Sequence, residues 1–279
     1  MSDGFGARAV VALERFGPLC AGLDPSPGLL RAWDLPDDVD GLRRFCGAVV
    51  EAFAGRVAAV KPQAAFFERH GSAGLAVLEE VLGDLRGAGT LTVLDAKRGD
   101  IGSTMQAYAE AYLADGAPLA ADAVTLSPYL GYGSLRPALD LARSSGRGVF
   151  VLTLTSNPEG AEVQHAGSPP VAAAIAAAAA TDNAGAVPAG PVGLVVGATV
   201  GAAAAEVGID LAAVNGILLA PGVGAQGARP EDLGRVFGAA AGRVLAPVSR
   251  ALLEHGPDVA ALRGAAEGLT ERLARGLGG

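Results

Sequence analysis

Cysteine is close to absent from this chain of 279 residues, and the two present, Cys20 and Cys46, sit in apolar surroundings without a Cys-x-x-Cys spacing. That leaves no disulfide framework and no thiolate zinc site to build on, so both are expected as buried thiols of a reducing compartment. Histidine is as scarce. His70, His165 and His255 are scattered, with no His-x-x-x-His spacing, and are expected at the surface or in satisfied positions rather than on a metal. Aromatic residues make up only 5% of the chain, and Trp33, Tyr129 and Tyr132 are read as packing. Basic residues are the minority: 21 Lys and Arg against 29 Asp and Glu leave a net charge of −8. A general binder of nucleic-acid backbone is thereby excluded, and any anionic ligand must be caught locally. Long apolar runs are missing too. The Ala-rich stretch from Val171 to Ala180 is too short to span a bilayer, and Met1-Ser2-Asp3-Gly4 has no basic patch followed by an apolar run. A soluble, cytoplasmic protein without membrane or nucleic-acid partners is expected.

Core material, by contrast, is ample: hydrophobic residues reach 51% and charged ones 18%, which rules out a disordered chain. Short apolar runs recur, each followed by a helical pattern, as in parallel βαβ units. Eight candidate strands can be read: Pro18–Leu23, Val57–Lys61, Leu91–Ala96, Ala123–Ser127, Gly148–Thr153, Val192–Val196, Gly216–Ala220 and Arg243–Val248. Most are continuous Val, Leu and Ala, as strands buried on both faces should be. Between them, Leu42, Phe45, Cys46, Val49, Val50 and Phe53 fall on one helical stripe, and Leu75, Leu78, Val81, Leu82 and Leu85 on another. Eight strand–helix units within about 250 residues predict a single-domain α/β fold, the (β/α)8 TIM barrel, ahead of a doubly wound open sheet. The connection after strand 5, about residues 155–190, is the longest and is expected to cover the site.

The densest polar cluster in an apolar setting is Leu94-Asp95-Ala96-Lys97-Arg98-Gly99-Asp100-Ile101-Gly102-Ser103-Thr104. Asp95 and Lys97 lie two apart on a strand, so their side chains share a face and can pair, while Asp100 lies just beyond the strand end. Charges buried unpaired at such a place would be costly. Other polar residues also close apolar runs: Asp24 after Leu23, Lys61 after Val60, and Ser249 and Arg250 after Val248. In a barrel these ends share one rim, so residues remote in sequence converge on one pocket. Pro221-Gly222-Val223-Gly224-Ala225-Gln226-Gly227 supplies a glycine loop whose N–H groups can approach an anion, with Arg250 on the next loop as the matching cation. Its Gly-x-Gly-x-x-Gly spacing lacks the downstream acid of a dinucleotide site. Thr153-Leu154-Thr155-Ser156-Asn157-Pro158 ends the fifth unit with hydroxyls and an amide suited to a polar heterocycle.

The Asp95–Thr104 segment resembles the signature of the orotidine 5′-phosphate decarboxylase family, most nearly its longer bacterial branch (type 2). Gly22-Leu23-Asp24-Pro25, Val60-Lys61-Pro62-Gln63, Thr155-Ser156-Asn157-Pro158 and the glycine loop extend the resemblance over nearly the whole chain. It implies a (β/α)8 barrel that acts as a homodimer without metal or organic cofactor, converting orotidine 5′-monophosphate to UMP and CO₂ in de novo pyrimidine biosynthesis. Carried over to this sequence, it makes Lys97 the proton donor to C6, sets Asp95 beside the departing carboxylate, and puts Lys61 and Asp24 near the ribose hydroxyls. Thr155 and Ser156 would face the pyrimidine, with Gln226 and Arg250, next to Ser249, on the phosphate. Asp100 and Thr104 would reach into the neighbouring subunit's site. Two alternatives remain at this level: a magnesium-dependent sugar-phosphate decarboxylase or aldolase of the same superfamily, and a non-catalytic sensor of phosphorylated ligands.

Overall fold

A computed structural model describes residues 4–224 and 227–278. Eight parallel strands close into a barrel in sequence order. They are β1 (Leu19–Leu23), β2 (Ala59–Pro62), β3 (Leu91–Arg98), β4 (Ala123–Leu126), β5 (Gly148–Leu154), β6 (Val192–Val196), β7 (Leu218–Leu219) and β8 (Val244–Val248). Closure runs through β1 and β8, with Leu19 opposite Ala246 and Cys20 opposite Pro247. This is the predicted (β/α)8 fold, and the open sheet is excluded. The predicted helical stripes are the faces that pack on the strands: Leu42, Phe45, Cys46, Val49 and Phe53 are buried in Val39–Phe53, and Leu78, Val81, Leu82 and Leu85 in Gly71–Gly87.

Strand parity decides where everything else goes. Cys20, Ala59, Val93, Ala123, Phe150, Leu219 and Leu245 belong to a core inside the barrel. Their strand neighbours Leu19, Ala21, Val60, Leu94, Val124, Val149, Leu218 and Val244 belong to a second core between strands and helices. Side chains alternate along a strand, so stepping two residues up from each inward position reaches the carboxyl-end rim. That step gives Lys61 from Ala59, Asp95 from Val93, Thr125 from Ala123, Leu152 from Phe150 and Pro247 from Leu245. Two such steps from Cys20 give Asp24.

The other end of the barrel is closed by a helix that strand counting missed, Phe5–Phe16. Phe5 meets Phe150 edge-on at 5.7 Å between ring centroids. Gly148 has no side chain because one would collide with the Phe5 ring, at 2.2 Å. Arg8 forms an ion pair with Asp122, whose other oxygen accepts hydrogen bonds from the backbone N–H and the hydroxyl of Thr92 at 2.9 and 3.0 Å.

Strand ends agree with the predicted ones to within two residues, and those of β6 coincide. One of the two-residue differences is at the end of β3, which continues to Arg98 through an irregularity: Leu94 is opposite Val124, but the next partners are Arg98 and Leu126. The long connection after β5 holds the helices Ala161–Gln164 and Val171–Asp182. Asp182 ties the second helix to the loop after β4, accepting hydrogen bonds from Tyr132 Oη at 2.7 Å and from Arg136 at 2.8 and 3.0 Å. Asn183, fully buried, donates to the carbonyls of Val192 and Val214 and accepts from the Val192 N–H, so the chain arrives at β6 in a fixed register.

Trp33 packs on Phe45 and donates Nε1 to the Leu253 carbonyl at 2.9 Å, as expected of a packing residue. Tyr129 corrects the same expectation, for it stands 79% exposed on the rim after β4. Cys20 and Cys46 are buried and unlinked, and burial pushes the Cys20 thiol up to about 12. No helix among the described residues is long and apolar enough to cross a membrane.

Candidate active site

A cavity of about 730 Å³ opens at the carboxyl ends of the strands. It is divided by chemistry. Asp24, Lys61, Asp95, Lys97 and Thr125, carried by β1 to β4 and their ends, form its charged side, whereas Leu152, Val195, Leu219 and Pro247 from β5 to β8 form an apolar one.

Asp95 is the hub. Its Oδ2 accepts from Lys61 Nζ at 2.9 Å and from Gln63 Nε2 at 3.2 Å, and its Oδ1 accepts from Lys97 Nζ at 2.6 Å and from Thr125 Oγ1 at 2.9 Å. Burial works to raise its pKa, but Lys61 and Lys97 outweigh it and hold the carboxyl well below the usual carboxylate range. Lys61 is only 6% exposed. Burial favours its neutral amine, yet the nearby Asp95 and Asp24 carboxylates raise its pKa above the ordinary lysine value. The lysines differ in access, since the Lys97 side chain is 49% exposed into the open cavity.

Lys97 reaches this position through an unusual backbone, with φ at +48° in the left-handed region. For a residue with a Cβ this costs roughly 1–2 kcal/mol, and it falls at the β3 irregularity, where a bulge re-aims a side chain. The predicted Asp95–Lys97 pairing is therefore present, but along a bulged rather than a regular strand.

The remaining walls come from the loops. Gly22 permits the close approach of β8 to β1, since a Cβ there would lie 1.9 Å from Ser249 Oγ. Asp24 Oδ1 is buried without a hydrogen-bond partner among the described residues, an acceptor left open on the cavity wall. Arg250 lines the cavity, and no described carboxylate pairs with it. The glycine loop is closed on itself by Gly224 N–H to Ala228 O at 2.9 Å and Ala228 N–H to Gly222 O at 3.2 Å, with both Gly222 and Gly224 at positive φ. Gln226 of the same sequence motif lies outside the described residues. Across the cavity, Gln164 grips Thr155 twice, accepting from its N–H at 2.9 Å and donating to its hydroxyl at 2.7 Å. Ser156 lines the cavity beside it.

Asp100 and Thr104 are not brought to this cavity. Asp100 Oδ1 accepts from the Ile101 N–H at 2.8 Å, and Thr104 is exposed in the first turn of the helix Gly102–Leu113. Gln63, Thr125 and Gln164 are site residues that sequence reasoning did not assign. A hydroxyl within the apolar run of β4 was the one available signal.

Comparison with known proteins gives the arrangement its context. The family model described as orotidine 5′-phosphate decarboxylase / HUMPS family matches residues 17–265. The chain belongs to this family. It is 60% identical over 266 residues to the orotidine 5′-phosphate decarboxylase of Streptomyces coelicolor, covering 94% of each chain. It is also 60% identical over 268 residues to that of Salinispora arenicola, covering 95% of each. The crystal structure of a protein from Streptomyces avermitilis, described as a putative orotidine 5′-phosphate decarboxylase, superposes with a TM-score of 0.95 at 56% identity, covering 100% of this chain and 97% of that one. These orotidine 5′-phosphate decarboxylase relatives lend no support to the sugar-phosphate or ligand-sensor alternatives.

Proposed function

We propose that this chain decarboxylates orotidine 5′-monophosphate to UMP and CO₂ in pyrimidine biosynthesis. The observation that carries the reading is the Asp95 carboxylate held between two lysines, one sealed in the wall and one standing in the cavity. Loss of CO₂ from C6 leaves an electron pair in an sp² orbital outside the ring's π system, where resonance into the C4 carbonyl offers little relief. A fixed cation must meet that charge. Lys97, oriented by Asp95 before the reaction begins, stabilises the developing carbanion and then transfers an Nζ proton to C6.

Asp95 also faces the substrate carboxylate in this reading. Two like charges about 4 Å apart repel by roughly 4 kcal/mol at an effective dielectric near 20, whereas enzymes supply about 8–23 kcal/mol. Repulsion alone is insufficient, and stabilisation of the carbanion-like transition state has to provide the larger share. The apolar side of the cavity suits a leaving group that becomes neutral as it departs. Asp24 and Lys61 serve the ribose hydroxyls, Thr155 and Ser156 the pyrimidine, and Arg250, Ser249, Gln226 and the glycine loop the phosphate. Phosphate contacts then supply binding energy for closing the segments after β5 and β7 over the substrate.

The whole chain works as one barrel domain, in the cytoplasm, and its active unit is a homodimer. Asp100 and Thr104 stay out of their own cavity, and Ile101, Tyr129 and Leu130 stand 60%, 79% and 54% exposed on the rims after β3 and β4, a face suited to a second copy. Asp100 and Thr104 then complete the neighbouring site.

Two measurements test this reading. Chelator-treated protein given orotidine 5′-monophosphate should show the ultraviolet change of conversion to UMP, and a folded, dimeric protein without turnover would overturn the assignment. Mixing inactive Lys97→Ala and Asp100→Ala chains should restore about a quarter of wild-type turnover, because half of randomly paired dimers carry one intact site. Mixed dimers without recovery would put Asp100 in its own subunit's site.

A further inference from the structure

We infer that Thr125 is a positioning residue for the Lys97–Asp95 pair: one buried hydroxyl sets both the carboxylate and the backbone that carries the proton donor. The inference rests on the decarboxylase reading and adds to it a residue that neither the motif nor the strand-end pattern contains.

The geometry begins with the irregularity in β3. Between the pairs Leu94–Val124 and Arg98–Leu126 the ladder skips, so Asp95, Ala96 and Lys97 pass Thr125 without regular strand pairing. An amide at such a bulge loses its ladder partner. The Lys97 N–H finds one in a side chain, donating to Thr125 Oγ1 at 3.0 Å. With a lone pair used in this way, the same hydroxyl donates its proton to Asp95 Oδ1 at 2.9 Å, the oxygen that also accepts from Lys97 Nζ at 2.6 Å. The loop of contacts runs from the Lys97 backbone through the threonine hydroxyl to the carboxylate and back to the Lys97 ammonium.

Three features make this a positioning device rather than incidental satisfaction. Thr125 is only 1% exposed, so no water can replace the hydroxyl without a local opening. Lys97 holds a left-handed backbone at φ +48°, which a non-glycine residue keeps only where its surroundings specify it, and the Thr125 bond is the contact made by its amide. The hydroxyl is also donor-committed: a group accepting from an N–H and donating to a carboxylate cannot turn without losing one of the two. Asp95 Oδ1 is thereby fixed toward the ammonium, while Gln63 and Lys61 hold Oδ2 from the opposite side.

The contribution is to the transition state. Substrate affinity comes from phosphate, ribose and pyrimidine contacts elsewhere on the wall, whereas the alignment of Lys97 matters when charge appears at C6. Thr125→Val keeps the shape and removes the hydroxyl. Its kcat is expected to fall roughly ten- to a hundredfold with KM within about threefold of wild type. Thr125→Ser restores the hydroxyl and should return most of kcat.

A second readout isolates the proton donor. By microscopic reversibility, protonation of C6 can be followed backwards as exchange of the C6 hydrogen of UMP with deuterated solvent, a reaction in which no CO₂ takes part. Thr125→Val should slow this exchange by a factor similar to its loss in kcat, with UMP affinity unchanged, and Thr125→Ser should restore it. Unchanged kcat and exchange in Thr125→Val would overturn the role. So would equal losses in the Val and Ser variants, or a fall in UMP affinity that parallels the fall in kcat, since these are the marks of general disturbance. Absence of turnover in the wild-type chain would instead overturn the decarboxylase reading itself, so the two failures are distinguishable.

Discussion

Lys97→Ala is expected to lower turnover by at least about 10⁴-fold while leaving the fold and UMP binding intact. The magnitude combines two losses. A positioned general acid contributes about 10²–10⁴-fold, and a preorganised charge aimed at developing charge about 10²–10³-fold more. Both reside in this one ammonium. The stability cost is small because the Lys97 side chain is 49% exposed and Asp95 keeps Lys61, Gln63 and Thr125 as partners; a half-exposed ion pair is worth about 1 kcal/mol or less. Binding should be measured with UMP rather than substrate. Without Lys97 the Asp95 charge is less balanced, and the substrate carboxylate would meet repulsion that UMP does not. Single-turnover assays and UMP titration of the purified variant check the prediction, and turnover near the wild-type value would defeat the assigned role.

The parts of this site legible in the sequence are those that follow from strand parity and strand ends. Asp24, Lys61, Asp95 and Lys97 close apolar runs, and in a parallel barrel such ends converge whatever their separation along the chain. The structure brings those four to one cavity. Thr125 was hidden for a physical reason: its function depends on where the β3–β4 ladder skips and on one left-handed residue, and neither leaves a periodic trace. Gln164 was hidden otherwise. It sits nine residues beyond Thr155 in a segment of short turns, where spacing carries no information about contact. The helix Phe5–Phe16 precedes the first strand, so counting βα units passes over it, although Phe5 and Ala9 are spaced to share a face. Tyr129 departs from its reading as packing because it lies in an irregular loop after β4, where no periodicity says which way a side chain faces, and its place is on the exposed rim.

Asp95→Asn separates from Lys97→Ala by its effect on stability as well as on turnover. The amide cannot counter two ammonium groups, and Lys61, 6% exposed, is left with Asp24 as its remaining nearby carboxylate. Removing one member of a buried charge network costs about 3–5 kcal/mol because the other charge stays behind unpaired, so the melting temperature should drop on the order of 5–15 °C. Turnover should fall with it, since Lys97 loses the group that orients it. The pH dependence has a definite sign. The Asp95 pKa is depressed in the fold, so its stabilisation is present above the unfolded carboxyl value near 3.9 and is lost as pH falls through the lower folded value. The Lys61 pKa is raised, so its stabilisation is present below about 10.4 and is lost as pH rises through the higher folded value. Between about pH 4 and pH 10 the stability gap between wild type and Asp95→Asn should therefore be flat, narrowing in acid as the wild type loses its carboxylate. Denaturant titrations across that range check it. A variant as stable as wild type at neutral pH would overturn the expected cost, because Lys61 would then not be left as an unpaired buried charge when the Asp95 carboxylate is removed.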